Sequence, residues 1–375
     1  MRRWWVVLVA LVTAAVVMYA MTVPGALTDL QVYRAGGSSW LHGVPLYTSD
    51  FPFWLPFTYP PVAAVAFGVV AVLPFAASVV LLTVAGLVSL SVTTVLAVPY
   101  RAAAPVVVLL ALALEPIRTT LMFGQVNLLL MAMVAYDCLS PRTRYPRGLL
   151  IGLAAAVKLT PAVFVLFFLA RRQIQPAVTA GVTFAAATGT GMLFAPADSL
   201  RYWYTTIFDP DRIGGAAFAT NQSLRGALAR LDLPGSDLVW LLLAAAVLVV
   251  AWRAARLASD PVVALLVVAA AGLVVSPVSW SHHWVWIAPA LAYLGVRSRG
   301  RGQVVLASVA VVFAVGHRFL PHARNRELTW TWWQHLAGDS YLLIALAFLA
   351  WALVRERDVA HPGGTRGPVS VGGRG

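Results

Sequence analysis

Long apolar runs, separated by short basic links and longer polar connections, set the pattern of this chain. Uncharged stretches recur at 4–23, 75–98, 239–251 and 262–275. Read against the ~20 residues a helix needs to cross a bilayer, the whole pattern predicts about 11–13 hydrophobic helices. The expected fold class is all-α: a polytopic integral membrane protein with one continuous domain over residues 1–358. A Pro/Gly/Arg-rich tail, 359–375, is expected to be disordered and cytoplasmic. The first apolar run follows Arg2-Arg3 and has no small-residue cleavage site after it, so it reads as a retained span. Residues 148–170 begin and end at arginines and contain Lys158-Leu-Thr-Pro161. They are expected to dip and return as two half-helices, a break tolerated only where it lines a cavity. Parity is not clean between 59 and 139, where one short segment, 103–115 among them, is expected not to be a full span.

Composition agrees: 60% of residues are hydrophobic, 11% are charged, and the mean hydropathy is +0.81. The net charge of +13 would suggest nucleic acid until it is mapped. Seventeen arginines fall in the short links and the two termini, against four acids, while the other side holds nine arginines and ten acids. That asymmetry is what the positive-inside rule produces, and nucleic-acid binding is not needed to explain it. Both termini are therefore expected to be cytoplasmic in the plasma (inner) membrane. The long connections 24–58, 115–127, 196–236, 276–283 and 317–337 are expected outside, and with them the chemistry. Cys138 stands alone, so no disulfide within the chain is possible.

Lys158 is the single lysine; 27 Lys+Arg less one leaves 26 arginines. A cation in an apolar run costs roughly 3 kcal/mol on insertion scales, so it should face a cavity or an anion. A compact ammonium suits a phosphate oxygen, although a lysine at a helix end can also snorkel to the surface. Asp29, just beyond the first span, could take the proton of an attacking sugar hydroxyl, or could cap a short helix carrying Tyr33 and Arg34. Gln125 and Asn127 could bond a sugar ring or merely satisfy backbone. His282 and His283, flanked by tryptophans, could be interfacial anchors; the preferred reading puts one in the site and the other in a structural role. No strong zinc spacing is present, and Asp209-Pro210-Asp211 is a lone DxD that equally fits a turn.

In order, Asp29-Leu-x-Val-Tyr33, Tyr59-Pro60-Pro61, Gly124-Gln125-x-Asn127, Lys158-Leu-x-Pro161, Asn221-Gln222-Ser223 and Ser279-Trp-x-His282-His283 resemble family 87 of the GT-C glycosyltransferases. These are polyprenyl-phosphate-mannose-dependent mannosyltransferases of mycobacteria and their relatives. The resemblance implies a GT-C-like fold and α-1,2 mannosyl transfer, with inversion, to a phosphatidylinositol mannoside or lipomannan at the outer leaflet. It makes Asp29 the catalytic base. Lys158, with Arg118, His282 and His283, is the candidate set for the donor phosphate. Tyr33, Arg34, Tyr59, Gln125, Asn127, Asn221 and Gln222 are the candidates for sugar or acceptor. The implied partners are polyprenyl-phosphate-mannose, a glycolipid acceptor and the bilayer, with no cofactor or metal. Another lipid-linked sugar, arabinofuranose or glucose, is the nearer alternative. A transporter or flippase is the farther one, because no repeated halves are visible. Beyond residue 300, His317, His322 and Trp330-Thr-Trp332-Trp333 match no pattern of that family.

Overall fold

The computed structural model describes residues 2–48, 51–99, 104–233, 235–322 and 324–360, and these are helical apart from turns and an isolated bridge between Asn221 and Trp280. Of the tail expected over 359–375, Val359 and Ala360 end the helix Ser340–Ala360, and the rest lies outside the described residues. Among the described residues, four helices are long and apolar enough to span a membrane: 5–22 within Arg2–Thr22, then Phe75–Ala97, Ile174–Phe194 and Ser236–Leu257. Two bent pairs raise that to six, namely Ala104–Ala111 with Glu115–Phe123 at 80° and Trp332–Gly338 with Ser340–Arg355 at 69°. Five shorter apolar helices of 10–17 residues fill the bundle. The chain is thus an all-helical, multi-pass membrane protein, but the expected 11–13 helices are mostly not full-length passes. Segment 104–111 has only eight residues before it turns. Large apolar side chains such as Leu11, Val182, Leu238 and Leu242 stand exposed on the long helices, the surface a bilayer covers.

Prolines set several helix starts. Pro61 opens Pro61–Val72 and Pro261 opens Pro261–Val275, positions where a missing N–H is harmless. The break expected near Lys158 is present. Helix Leu149–Val157 ends at Lys158, whose backbone is extended (φ −149°, ψ 123°), and a 3-10 turn, Thr160–Phe164, leads into Val165–Ala170. A β-carbon at Gly148 would meet the Pro176 carbonyl at 2.0 Å, so the start of the first half-helix lies against the start of Ile174–Phe194. Only residues 171–173 separate that helix from Val165–Ala170. Residues 148–170 therefore enter and leave at the same end of the bundle.

Links at that end are tied together. Arg171 Nη1 donates to Ala258 O (3.1 Å), Arg297 pairs with Asp260 (3.3 Å), and Asp137 accepts from Ile151 N–H (2.9 Å). The five long connections are likewise cross-linked. Leu27 N–H donates to Met122 O (3.2 Å) and Leu46 N–H to Asp198 Oδ1 (3.0 Å). Gln222 N–H donates to Ser279 O (2.8 Å), Ala219 N–H to Glu327 Oε1 (3.2 Å), and Ser281 Oγ to Glu115 Oε1 (2.9 Å). Basic links and elaborate loops thus form two separately tied groups.

Candidate functional site

Two close backbone approaches bring the site together. The first long connection folds into helix Thr28–Leu41, which packs directly on Pro61–Val72 because Gly37 has no side chain; a β-carbon there would lie 2.5 Å from Phe67 O. At the end of Glu115–Phe123, Gly124 takes the left-handed conformation (φ 66°), and a β-carbon on it would meet Leu30 Cβ at 2.7 Å. The chain leaves that glycine with Gln125 beside Asp29.

Asp29 does not cap its helix. The N-cap position belongs to Leu27, which makes no side-chain cap bond. The half-buried Asp29 carboxylate instead takes a hydrogen bond from the Gln125 side chain and faces the Lys158 charge. Burial pushes its carboxyl up to about 7, with Lys158 and Gln125 opposing that rise. Gln125 Oε1 accepts from Tyr33 Oη (2.7 Å), which turns the amide NH2 toward Asp29 and toward His282 Nε2 (3.5 Å). The Tyr33 proton being used, Tyr59 Oη donates to Tyr33 Oη across 3.1 Å.

Lys158 closes the other side. Its Nζ donates to Asn127 Oδ1 (3.0 Å) and lies 3.1 Å from His283 Nε2. An ammonium has no acceptor, so His283 accepts at Nε2 and carries its proton on Nδ1. The ring of Tyr59 lies 5.8 Å from Nζ. Asn127 Nδ2 and Thr120 Oγ1 both donate to His282 O, each at 2.9 Å, and so fix the loop bearing the two histidines. Burial and the Lys158 charge hold both imidazoles well below their usual range, hence neutral. Both rings join the network, His282 through Gln125 and His283 through Lys158, where the sequence reading separated one from the other.

A partly open pocket lies beside this group. Lys158, Asn127 and His283 are among its polar lining, with Thr160, Ser276 and Ser279, while Met131, Val134, Val163, Phe164, Leu273 and Trp286 are among the apolar residues. One charge set against an apolar slot fits an amphiphile with an anionic head.

Other expected residues lie elsewhere. Arg34 Nη1 caps the end of Pro61–Val72, donating to Val70 O, to Leu73 O (2.6 Å) and to Ser78 Oγ (2.8 Å). Arg118, exposed, donates to Ala113 O and to Ala314 O (2.9 Å) rather than reaching Lys158. Asn221 and Gln222 are fully buried and bond mainly to backbone. Asn221 Oδ1 accepts from Ser279 N–H (2.9 Å), while Gln222 Nε2 donates to Ala219 O (2.9 Å) and Gly338 O (2.6 Å). Two residues escaped the sequence reading as contributors. Thr120 shows no signal beyond a hydroxyl within the connection 115–127. Glu115 carried no assigned role, and its carboxylate accepts from Thr119, Ser281 and Tyr341.

Residues 57–277 match the model of glycosyltransferase family 87. A polyprenol-phosphate-mannose-dependent alpha-(1-2)-phosphatidylinositol mannoside mannosyltransferase of Mycobacterium tuberculosis is 42% identical over 357 residues, covering 86% of this chain and 84% of that protein. The protein of the same description in Mycolicibacterium smegmatis is 41% identical, covering 89% and 85%. A phosphatidylinositol pentamannoside mannosyltransferase of Mycobacterium tuberculosis is 35% identical, covering 88% and 82%. Among solved structures, ArnT from Cupriavidus metallidurans bound to undecaprenyl phosphate aligns with a TM-score of 0.47 and 18% identity, over 96% of this chain and 79% of that one.

Proposed function

Because this chain belongs to glycosyltransferase family 87, we propose that it transfers mannose from polyprenyl-phosphate-mannose to a mannose-bearing glycolipid, a phosphatidylinositol mannoside or lipomannan, at the outer leaflet. The observation that carries this reading is the placement of Lys158 at the head of an apolar cavity, bonded by Asn127 and His283 and facing Asp29. The donor phosphate sits against Lys158 with its prenyl chain in the cavity. The acceptor hydroxyl is held at Asp29.

In the transfer step the acceptor oxygen bonds to the anomeric carbon and its proton passes to the Asp29 carboxylate. The bond from that carbon to the phosphate oxygen breaks, and its electron pair leaves with the phosphate. Attack from the opposite face turns a β-linked donor into an α-linked product. Lys158 stabilises the charge that grows on the departing phosphate, an electrostatic contribution strongest in a site closed to water. A carboxylate whose affinity for protons burial has raised is a better base than an ordinary one near neutral pH.

The test is to supply the purified chain in lipid nanodiscs with polyprenyl-phosphate linked to mannose, arabinofuranose or glucose, each separately, together with a phosphatidylinositol mannoside. Product is expected from the mannosyl donor alone; product from either other sugar with none from mannose would replace the donor assignment. Orientation is tested with cysteines at exposed Thr205 and Thr329, expected to react with an impermeant reagent from outside, and at exposed Arg299, expected to stay unlabelled. Labelling at 299 in intact cells would place the site on the opposite leaflet.

A further inference from the structure

The loop after residue 315 lies against the site's flank. Gly316 packs on Glu115, 3.3 Å from its Cγ to the position of an added β-carbon. The Glu115 carboxylate holds Ser281, the residue before His282. Arg118 Nη2 bonds to Ala314 O, four residues before Arg318. Arg118 and Arg318 are thus two exposed arginines on adjoining segments, the first turn of Glu115–Phe123 and the turn that follows Arg301–Val315. The arginine ion pairs found among the described residues involve Arg225, Arg230 and Arg297, so neither Arg118 nor Arg318 has a carboxylate in them. Arg318 is near enough for its charge to act on the His282 ring, and both arginines act on the Tyr341 hydroxyl.

Depth narrows the anion. Helix Arg301–Val315 has 15 residues and starts at the arginine-rich end of the bundle. It lifts Val315, three residues before Arg318, about 22 Å above that end at 1.5 Å per residue. That is close to the far side of a hydrocarbon core ~30 Å thick. The same loop bares Phe319 (63% exposed) and Trp332 (76% exposed), rings of the type that settle at the headgroup level. A phosphate meeting Arg118 and Arg318 there is a membrane lipid's phosphodiester.

We propose that Arg118 and Arg318 form a second anion site, separate from Lys158, which takes the phosphodiester of the acceptor lipid while its mannose chain reaches Asp29. This rests on the acceptor reading above. The site selects a mannose chain carried on a phospholipid over the same chain on a neutral lipid. It also orients that chain, because anchoring one end at the headgroup plane limits which hydroxyl can arrive at the base.

The experiment uses the full chain in neutral-lipid nanodiscs with the mannosyl donor and two acceptors: a phosphatidylinositol mannoside and an alkyl mannoside of the same mannose sequence. For the double variant Arg118→Gln/Arg318→Gln, kcat/KM with the phospholipid acceptor is expected to fall about 10–100-fold, the scale of losing one or two charge-assisted hydrogen bonds. Most of the fall should appear in KM. Loss with the alkyl mannoside should be several-fold smaller, and Arg318→Lys should keep most of the phospholipid activity. Equal loss with both acceptors, an equal rise in donor KM, or no loss at all would overturn the site. Adding phosphatidylglycerol separates the two sources of phosphodiester. If it stimulates alkyl mannoside transfer in the wild type and not in the double variant, bulk lipid is the occupant and the proposal fails. A wild-type chain that transfers to neither acceptor removes the mannosyltransferase reading itself, an outcome distinct from the others.

Discussion

Two amide pairs in the long connections look alike in the sequence and do different things in the molecule. Gln125 and Asn127 follow a glycine and open the helix Asn127–Leu139; Asn221 and Gln222 precede the helix Leu224–Arg230. The first pair bonds to groups that carry charge or protons. Gln125 links Tyr33, Asp29 and His282, and Asn127 links Lys158 to the backbone of His282. The second pair bonds chiefly to backbone, joining Ala219, Ser279, Gly338 and Tyr341. An amide supplies both donor and acceptor at fixed separation, so either use is open to it. The partner decides the role: a titratable side chain makes the amide part of the chemistry, whereas a carbonyl makes it a staple.

The comparison breaks first at Asp29. Asp29→Asn keeps the shape and removes the basicity, so transfer should fall at least ~100-fold, the lower end of general-base contributions. Assays of membranes with matched expression check it, and turnover above one tenth of wild type would remove Asp29 as the base. Lys158→Met should raise donor KM and lower kcat together, by roughly 10–100-fold in kcat/KM, since phosphate charge grows as the sugar leaves. Lys158→Arg should recover only part, because a planar fork needs space that a pocket around an ammonium lacks. pH gives an independent reading. The base works when ionised and burial has raised its carboxyl to about 7, so kcat/KM should climb with pH through that region. Lys158 favours the ionised form, and its loss should move the climb to higher pH. A limb that stays in place would show that the two groups do not interact.

The amide pairs themselves come next. Gln125→Ala should lower kcat about 10-fold and shift the acid limb upward, because a bond favouring ionised Asp29 is gone, with little change in thermal stability. Gln222→Ala should do the reverse. It leaves buried carbonyls at Ala219 and Gly338 without that donor, a cost of about 2–4 kcal/mol of stability. Turnover per folded molecule should stay within about threefold, as expected of a change that touches no reacting group. Thermal unfolding in detergent beside kcat distinguishes them. If both variants lose stability and turnover in equal proportion, the division between chemistry and staple is wrong.

How much of this was legible follows the same line. Apolar runs and arginine clusters depend on composition over many residues, and both the helical architecture and the return of 148–170 could be read from them. Helix lengths could not, because the bend of 80° after Ala111 depends on tertiary packing. Within the site, Lys158 stood out as a charge in a place where charge is costly, and Asp29 through its place in a motif that resembles the family's. Arg34 looked equally suggestive, yet it caps the end of Pro61–Val72, because a guanidinium and three nearby acceptors meet only once the chain has folded. Thr120 and Glu115 gave no signal for the same reason: their partners, His282 and Ser281, lie more than 160 positions away.

The smallest expected effect sharpens the comparison most. Tyr33 Oη donates to Gln125 Oε1, and that bond holds the amide oxygen on the tyrosine side, away from Asp29. With the oxygen held by Tyr33, the NH2 group points at Asp29 and His282; turned over, the amide would present an oxygen to a carboxylate. Tyr33→Phe keeps the ring, which stacks on Phe67 at 4.3 Å, and deletes only the hydroxyl. Tyr59 would lose its bond to Tyr33, and the amide would lose one of the bonds that fix its orientation. Losing one neutral hydrogen bond of about 1 kcal/mol corresponds to roughly a fivefold effect. We therefore expect kcat to fall about three- to fivefold with donor KM unchanged, and the acid limb to move up by less than in Gln125→Ala. Adding Tyr33→Phe to Gln125→Ala should then cost almost nothing further, because the hydroxyl acts only through the amide. Full additivity of the two losses would show that Tyr33 acts on its own, against the acceptor sugar and not through Gln125.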